Sequence, residues 1–152
     1  MQMTGATNQS LSGLLRRTIG DRLAPDAESL LDMFADDVVC ELPFAPAKGV
    51  HRLEGKKAVA DYLPRVSGLI NVDGGEMIAV HRSTDPDVAI LEFEITGSGV
   101  RTGASYSQRY ICVVQTRDGR IVHFTDYWNP LVLLSAVGGE EALAAAFTGD
   151  GQ

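Results

Sequence analysis

A carboxyl group stands among apolar and aromatic residues near the end of a segment with strand character. The segment covers residues 121–128 and reads IVHFTDYW. Because alternate residues of a strand share a face, Val122, Phe124, Asp126 and Trp128 are predicted to lie together. Apolar surroundings raise the pKa of a carboxyl group, which suits acid–base catalysis near neutral pH. Asp126 is therefore the first candidate for a catalytic residue, and a strand-end acid that faces water is the alternative.

A second group of polar side chains lies on the preceding predicted strand, Ser105 to Thr116. Tyr106, Gln108 and Tyr110 alternate along it and are predicted to share one face. Their hydroxyl and amide groups could hold a ligand oxygen. Core tyrosines with satisfied hydroxyl groups are the alternative interpretation.

The histidines and cysteines give weaker signals. His51, His81 and His123 are far apart in the chain, and each is interpreted as structural or solvated. Cys40 and Cys112 lie in apolar, β-branched stretches, where a free cysteine packs as a small hydrophobic residue. The chain has no CxxC, HExxH or GxSxG motif, so the sequence indicates neither a metal site nor a serine hydrolase triad. We expect no metal and no cofactor.

Length and charge restrict the possible functions. The chain has 152 residues and a net charge of −7, with 45% hydrophobic residues. These values predict one globular domain and disfavour nucleic-acid binding. No apolar run is long enough for a membrane span and no signal peptide is recognisable, so we expect a cytoplasmic protein. We expect a single domain over residues 10–147, with disordered termini at residues 1–9 and 148–152.

Hydrophobic periodicity predicts helices in the first half of the chain and mainly strands in the second. The exception in the first half is a strand over Val38 to Phe44. Helices followed by an antiparallel meander are typical of an α+β fold. The first predicted helix begins at Leu11 and ends at Gly20-Asp21, and the second begins at Pro25-Asp26 and ends at Asp36-Asp37. A third follows Glu54-Gly55 and ends at Gly68, and a short one covers Glu140 to Phe147. The later strands cover residues 77–82, 88–96, 105–116 and 120–127, with turn signals at 84–87, 97–99 and 117–119.

Five short motifs in this order resemble SnoaL-like proteins of the NTF2-like superfamily. That group includes polyketide cyclases, ketosteroid-isomerase-like enzymes and the PhzA/PhzB type. The resemblance covers residues 24–135. It implies a cone in which N-terminal helices pack into a curved, mostly antiparallel sheet around an apolar pocket. The motifs are FADDVV at 34–39, ELPFAP at 41–46, EGKKAV at 54–59, DGRIV at 118–122 and DYWNP at 126–130.

The resemblance implies a cofactor-free enzyme that moves a proton next to a carbonyl group of a hydrophobic, oxygenated substrate. The reaction would be an isomerisation or an aldol-type cyclisation, with Asp126 as the proton-transfer group. Many family members carry an acid before this aromatic pair, and in several it is catalytic. The remaining candidates would bind the substrate: Tyr106, Gln108, Tyr110 and Asn129 through its oxygen, and Trp128, Phe34 and Tyr62 as apolar walls.

One departure from the steroid isomerases restricts the mechanism. Those enzymes place an aspartate general base directly before the proline of the first strand, where this chain has Leu42. The nearest acid, Glu41, is one residue earlier and is predicted to face the other way. The steroid-isomerase mechanism therefore does not carry over, and a pocket role for Glu41 or His51 stays open.

Two alternatives to the isomerase or cyclase are kept. A non-catalytic module that binds a small ligand or serves assembly would need the same apolar pocket. An epoxide hydrolase would need an Asp-Arg-Asp constellation, which the sequence does not clearly show.

The outer face of the long strands suggests a homodimer. It carries Glu92, Glu94, Arg109, Ile111 and Val113, a mixture of apolar residues and polar residues that can pair. Members of the superfamily commonly pair through this face. No nucleic-acid or membrane partner is expected.

Overall fold

The N-terminal helix buries one face against the core. The computed structural model describes residues 10–148, so the predictions for residues 1–9 and 149–152 lie outside the described residues. Helix α1 (Leu11–Ile19) begins after Ser10, whose side chain accepts a hydrogen bond from Gly13 N. A 3-10 turn at Gly20–Arg22 follows, as the glycine and aspartate predict. The apolar side of α1 consists of Leu11, Leu14, Leu15 and Ile19, all buried.

The second helix is much shorter than the sequence predicts. Helix α2 (Leu30–Met33) is a single turn, held by a capping box between Ser29 and Asp32. Strand β1 (Phe34–Glu41) starts at once, whereas the apolar spacing predicted helix through Phe34 and a strand only from Val38. Phe34 pairs with Ile121 on a neighbouring strand, and its ring meets that of Phe124 edge-on. These long-range contacts override the local helical pattern.

The strands after β1 are β2 (Arg52–Glu54), β3 (Ile70–Arg82), β4 (Val88–Gly99), β5 (Ser105–Arg117) and β6 (Arg120–Tyr127). Within the described residues these six strands form one curved, unclosed sheet in the order β2-β1-β6-β5-β4-β3. Strands β1 and β6 run parallel, and all other neighbours are antiparallel. This mixed, mainly antiparallel sheet with helices on its inner face confirms the predicted α+β class. Strand β2 was not predicted, and β3 begins seven residues before its predicted start at Met77.

Three further helices complete the cone. Helix α3 (Lys56–Ser67) packs against β1, β2 and β3. Helices α4 (Pro130–Val137) and α5 (Glu140–Thr148) follow the sheet, and α4 lies against β5 and β4. A Cβ atom at Gly99 would lie 2.0 Å from the Ala136 carbonyl oxygen, so only glycine allows α4 this close. Strand β4 continues through residues 97–99, which pair with β3 and β5, so the prediction of a turn there is wrong.

Two local features set the register of β6. Asp118 and Gly119 have φ values of 53° and 79°, as a type I′ hairpin requires, so the predicted turn is confirmed. Beyond it the pairing shifts, and Val122 is an extra residue between the Thr116–Ile121 and Gln115–His123 pairs. Ile121 is consequently buried on the inner face, and the prediction that Val122 lies there is wrong.

No helix within residues 10–148 combines the length and the apolar character that crossing a membrane requires.

Candidate functional site

A cavity of about 100 Å³ lies between the inner face of the sheet and the helices. Most of its wall is aliphatic or aromatic. Helices α4 and α5 contribute Leu133 and Leu143, so the C-terminal segment forms part of the wall. The titratable side chains that line the cavity are Cys40, Glu41, Tyr62, Tyr106, Tyr110 and Asp126.

Asp126 is the acid of this cavity that lacks a charged partner. It is half-buried and lines the cavity with Phe124 and Trp128, in the alternation that the sequence predicts. Cys112 Sγ donates a hydrogen bond to Asp126 Oδ1 at 3.2 Å, the one hydrogen bond to this carboxyl group among the described residues. Burial raises the pKa of Asp126 from 3.8 to about 7, and the thiol hydrogen bond opposes that shift. A group with such a pKa can both accept and return a proton near neutral pH.

Three tyrosines surround this carboxyl group. The hydroxyl oxygens of Tyr106 and Tyr110 are 2.6 Å apart, and both residues are buried. Tyr62 lines the cavity from α3. Burial raises the pKa of all three hydroxyl groups, and the negative charge of Asp126 adds to the shift. They therefore stay protonated at neutral pH and can donate hydrogen bonds.

Gln108 and Asn129 hold the chain rather than line the cavity. Gln108 Nε2 donates to the Asn129 carbonyl oxygen at 2.9 Å, and Asn129 N donates back to Gln108 Oε1 at 3.0 Å. The Asn129 side chain caps α4 by accepting from Leu131 N. Both residues fix the path of the chain directly after Trp128. Among the residues predicted for the site, Phe34, Tyr62, Tyr106, Tyr110, Asp126 and Trp128 line the cavity, and Gln108 and Asn129 do not.

Comparison with known proteins identifies the family. The family model of the SnoaL-like domain matches residues 20–124, well over half of the chain. The chain belongs to the SnoaL-like family. The match ends two residues before Asp126, so the SnoaL-like assignment does not itself cover this carboxyl group.

Relatives of this SnoaL-like chain cover most of its length. The "Uncharacterized protein YesE" of Bacillus subtilis is 40% identical over 125 residues, which is 82% of this chain and 85% of the relative. The "Uncharacterized PhzA/B-like protein PA3332" of Pseudomonas aeruginosa is 36% identical over 124 residues, which is 82% of this chain and 87% of the relative. A crystal structure named "Putative Isomerase from Bacillus subtilis" is 38% identical, has a TM-score of 0.72 and matches 84% of this chain and 91% of its own.

The remaining acid of the SnoaL-like pocket has partners of its own. Glu41 Oε2 lies 2.7 Å from His123 Nε2, and Glu41 Oε1 lies 3.5 Å from an Arg52 guanidinium nitrogen. Leu42 is buried and lines the cavity, at the position where steroid isomerases carry their base. His51 Nε2 lies 3.0 Å from the Pro46 carbonyl oxygen, outside the cavity wall.

The two cysteines were not recognised as site residues from the sequence. Cys40 lines the cavity, and Cys112 touches the Asp126 carboxyl group. The signal was present, because Cys112 continues the alternation of Tyr106 and Tyr110 on one face of β5. The sequence analysis treated both cysteines as small buried hydrophobic residues, and so it did not predict that they lie near Asp126.

Proposed function

We propose that this protein catalyses proton transfer next to a carbonyl group of a small, hydrophobic, oxygenated molecule. The reaction is an isomerisation or an aldol-type cyclisation and uses no cofactor. The observation that carries the proposal is the Asp126 carboxyl group, which lies in an apolar cavity without an opposing charge and has a pKa of about 7. The similarity, at 38% identity, to the protein named "Putative Isomerase from Bacillus subtilis" supports the same class of reaction.

Asp126 moves the proton. The ionised carboxylate takes a proton from the carbon next to the carbonyl group, and the electron pair of that C–H bond moves to the oxygen to form an enolate. The protonated Asp126 then returns the proton to another carbon of an isomerising substrate. In an aldol-type cyclisation, the enolate carbon instead attacks a second carbonyl group, and the resulting alkoxide takes the proton. A pKa near 7 suits both directions of transfer.

The tyrosine hydroxyl pair stabilises the enolate. Tyr106 and Tyr110 are buried and keep their protons. Their hydroxyl groups are hydrogen-bonded to each other at 2.6 Å, so one proton lies between them and the pair can donate one hydrogen bond to an oxygen on which negative charge develops. Donors held in place inside a low-dielectric cavity stabilise such a charge more than water does. Phe34, Tyr62 and Trp128 form apolar walls that keep water from the enolate.

Hydrogen exchange tests this function without knowledge of the natural substrate. A panel of small ketones and 1,3-diketones is incubated with the protein in D2O, and loss of the α-proton signal is followed by NMR. The protein should accelerate exchange for at least one member. Asp126→Asn should slow the accelerated exchange by roughly 10²–10⁴-fold, the usual contribution of a positioned proton-transfer group.

Glu41→Gln is the matched control, because it also replaces one carboxyl group at the cavity by an amide. The Glu41 carboxylate pairs with His123 and Arg52, so this variant should exchange at the wild-type rate. Full exchange activity in Asp126→Asn would refute the proposed role. Binding of ketones without any exchange would favour the non-catalytic module.

The epoxide hydrolase alternative has less support. Its constellation requires an arginine between two acids, and no arginine lines the cavity within the described residues.

A further inference from the structure

The lining of the cavity contains two carboxyl groups, Glu41 and Asp126, and within the part of the chain that the structure describes one of them has no positively charged partner. None of the described residues that line it carries a positive charge. Glu41 lies 3.5 Å from an Arg52 guanidinium nitrogen and accepts a hydrogen bond from His123 Nε2 at 2.7 Å. Asp126 has no such partner, so its charge is offset only by a thiol hydrogen bond.

Neutral groups face Asp126 from the elements around it. They are the thiols of Cys40 on β1 and Cys112 on β5, and the hydroxyls of Tyr62 on α3 and of Tyr106 and Tyr110 on β5. Burial raises the pKa of each, so none of them ionises at neutral pH. Helices α1, α2, α4 and α5 add only leucines to the wall. Asp126 is therefore the group that changes the charge of the cavity between pH 6 and pH 8.

We propose that Asp126 acts as a charge filter, so that the cavity accepts uncharged carbonyl compounds and excludes carboxylates of the same shape. This inference rests on the proposed function in taking the cavity as the substrate site. A carboxylate ligand would place a second negative charge beside ionised Asp126 in surroundings that screen it poorly. It could bind only if Asp126 first took up a proton.

An uncharged ligand fits the cavity better than a cation. The hydrogen-bonded hydroxyl pair of Tyr106 and Tyr110 can donate one hydrogen bond, which suits a carbonyl oxygen. A cation would gain the charge of Asp126. It would lose its hydration shell to a wall that is otherwise mostly apolar, and this loss commonly outweighs the attraction within a buried ion pair.

The size of the cavity restricts the ligand. Its volume is about 100 Å³, of the same order as the ~150 Å³ of a protein cavity that takes up benzene, so it suits a ligand no larger than one ring with a small substituent. Acetophenone, benzoate and benzamidinium are single-ring probes of this kind. They share one planar shape and differ in charge.

The test measures the affinity of these three probes. Trp128 lines the cavity and is the single tryptophan of the chain, so its fluorescence reports binding, with calorimetry as a second readout. At pH 8 acetophenone should bind at least ten-fold more tightly than benzoate. At pH 6 benzoate is still ionised but Asp126 is largely protonated, so the ratio should shrink. In Asp126→Asn the ratio at pH 8 should fall to about the value of the wild type at pH 6, and what remains is the cost of removing benzoate from water.

Glu41→Gln is the control and should change the ratio at pH 8 much less than Asp126→Asn does, because Arg52 and His123 lie beside the Glu41 carboxylate and, among the described residues, no charged group lies beside Asp126. Equal binding of acetophenone and benzoate at pH 8, or an unchanged ratio in Asp126→Asn, would overturn the filter. Tighter binding of benzamidinium than of acetophenone would overturn the preference for uncharged ligands. Failure of all three probes to bind at millimolar concentration would also count against it.

The exchange experiment separates this inference from the proposed function. If the Asp126→Asn variant loses ketone exchange but keeps the wild-type ratio of acetophenone to benzoate affinity, the proposed function stands and the filter is refuted. If the protein exchanges no ketone but its acetophenone-to-benzoate affinity ratio depends on Asp126, the filter stands and the proposed function is refuted.

Discussion

Cys112 and Asp126 lie directly opposite each other on the antiparallel strands β5 and β6, and the thiol donates to the carboxyl group at 3.2 Å. A thiol is a weak donor. It holds one carboxyl oxygen in place while doing little to stabilise the negative charge. This pairing explains how Asp126 can be positioned in the cavity and still keep a pKa of about 7.

The donor strength at position 112 should therefore set the pKa of Asp126. Cys112→Ser supplies a stronger donor at nearly the same place and should lower the pKa, because hydrogen bonds to the charged form favour it. Cys112→Ala removes the donor and should raise the pKa. The measurement is an NMR pH titration of the Asp126 carboxyl carbon.

Cys40→Ser is the matched control for this titration. Cys40 lines the same cavity, but the hydrogen bond to Asp126 comes from Cys112. Its substitution should move the pKa of Asp126 much less than Cys112→Ser does. Opposite shifts in the two Cys112 variants are required. Shifts of the same sign would mean that packing, not the hydrogen bond, controls the carboxyl group.

Asp126 should also make the protein less stable as the pH rises. The pKa of this carboxyl group is near its ordinary value of 3.8 in the unfolded chain and about 7 in the folded protein. Between these values the folded state binds more protons, so the free energy of unfolding falls with rising pH and levels off above pH 7. The loss approaches roughly 1.4 kcal/mol per pH unit inside this window.

Urea unfolding at several pH values measures this loss. Other carboxyl groups also titrate, and the lowered pKa of Asp32 acts in the opposite direction. The informative quantity is therefore the difference between the wild type and Asp126→Asn. That difference should change steadily from pH 4 to pH 7, and a constant difference would contradict the raised pKa.

Local pattern and turn chemistry predicted much of the sheet, because its signals are short-range. The Asp118-Gly119 hairpin and the alternation along β5 both depend on neighbouring residues alone. The failures have long-range causes. Phe34 becomes a strand residue because β1 pairs with β6, and Val122 leaves the inner face because of a bulge in the pairing with β5. Neither the pairing of Phe34 nor the bulge at Val122 can be predicted from the spacing of apolar residues along the chain.

Some residues of the candidate site could likewise be predicted from local pattern, and others could not. Asp126 and Tyr110 could be found by alternation, since each strand repeats with a period of two. Gln108 lies on the same face as Tyr110, but its side-chain amide makes two hydrogen bonds with the backbone of Asn129. Which polar groups of one face are already satisfied depends on a chain segment beyond the next strand, and alternation carries no information about that segment.

We propose a homodimer through the outer face of the sheet. Ile78 and Ile111 are 42% and 41% exposed there, beside the Arg109–Glu92 ion pair at 3.3 Å. Ile111→Glu should place a charge in the interface and shift the protein towards the monomer. Light scattering at micromolar concentration measures the shift. Val100→Glu, a matched change at an exposed residue in the β4–β5 turn, should leave the mass unchanged. A wild-type monomer would refute the dimer.

The C-terminal helices should stabilise the domain through one buried face. Leu143 of α5 is 4% exposed and lines the cavity, whereas Leu131 of α4 is 70% exposed. Leu143→Ala should lower the free energy of unfolding by about 2–4 kcal/mol, because it removes buried methyl groups and enlarges the cavity. Leu131→Ala makes the same chemical change at the surface and should stay within about 0.5 kcal/mol of the wild type.

Deletion of all residues after Pro130 extends this test to both helices. It removes the buried Ala136 and Val137 and opens the cavity beside Trp128, so it should lower the melting temperature or cause aggregation. Thermal unfolding of the three variants beside the wild type measures the effects. An unchanged melting curve for the deletion, or equal losses from Leu143→Ala and Leu131→Ala, would mean that α4 and α5 do not hold the wall of the cavity.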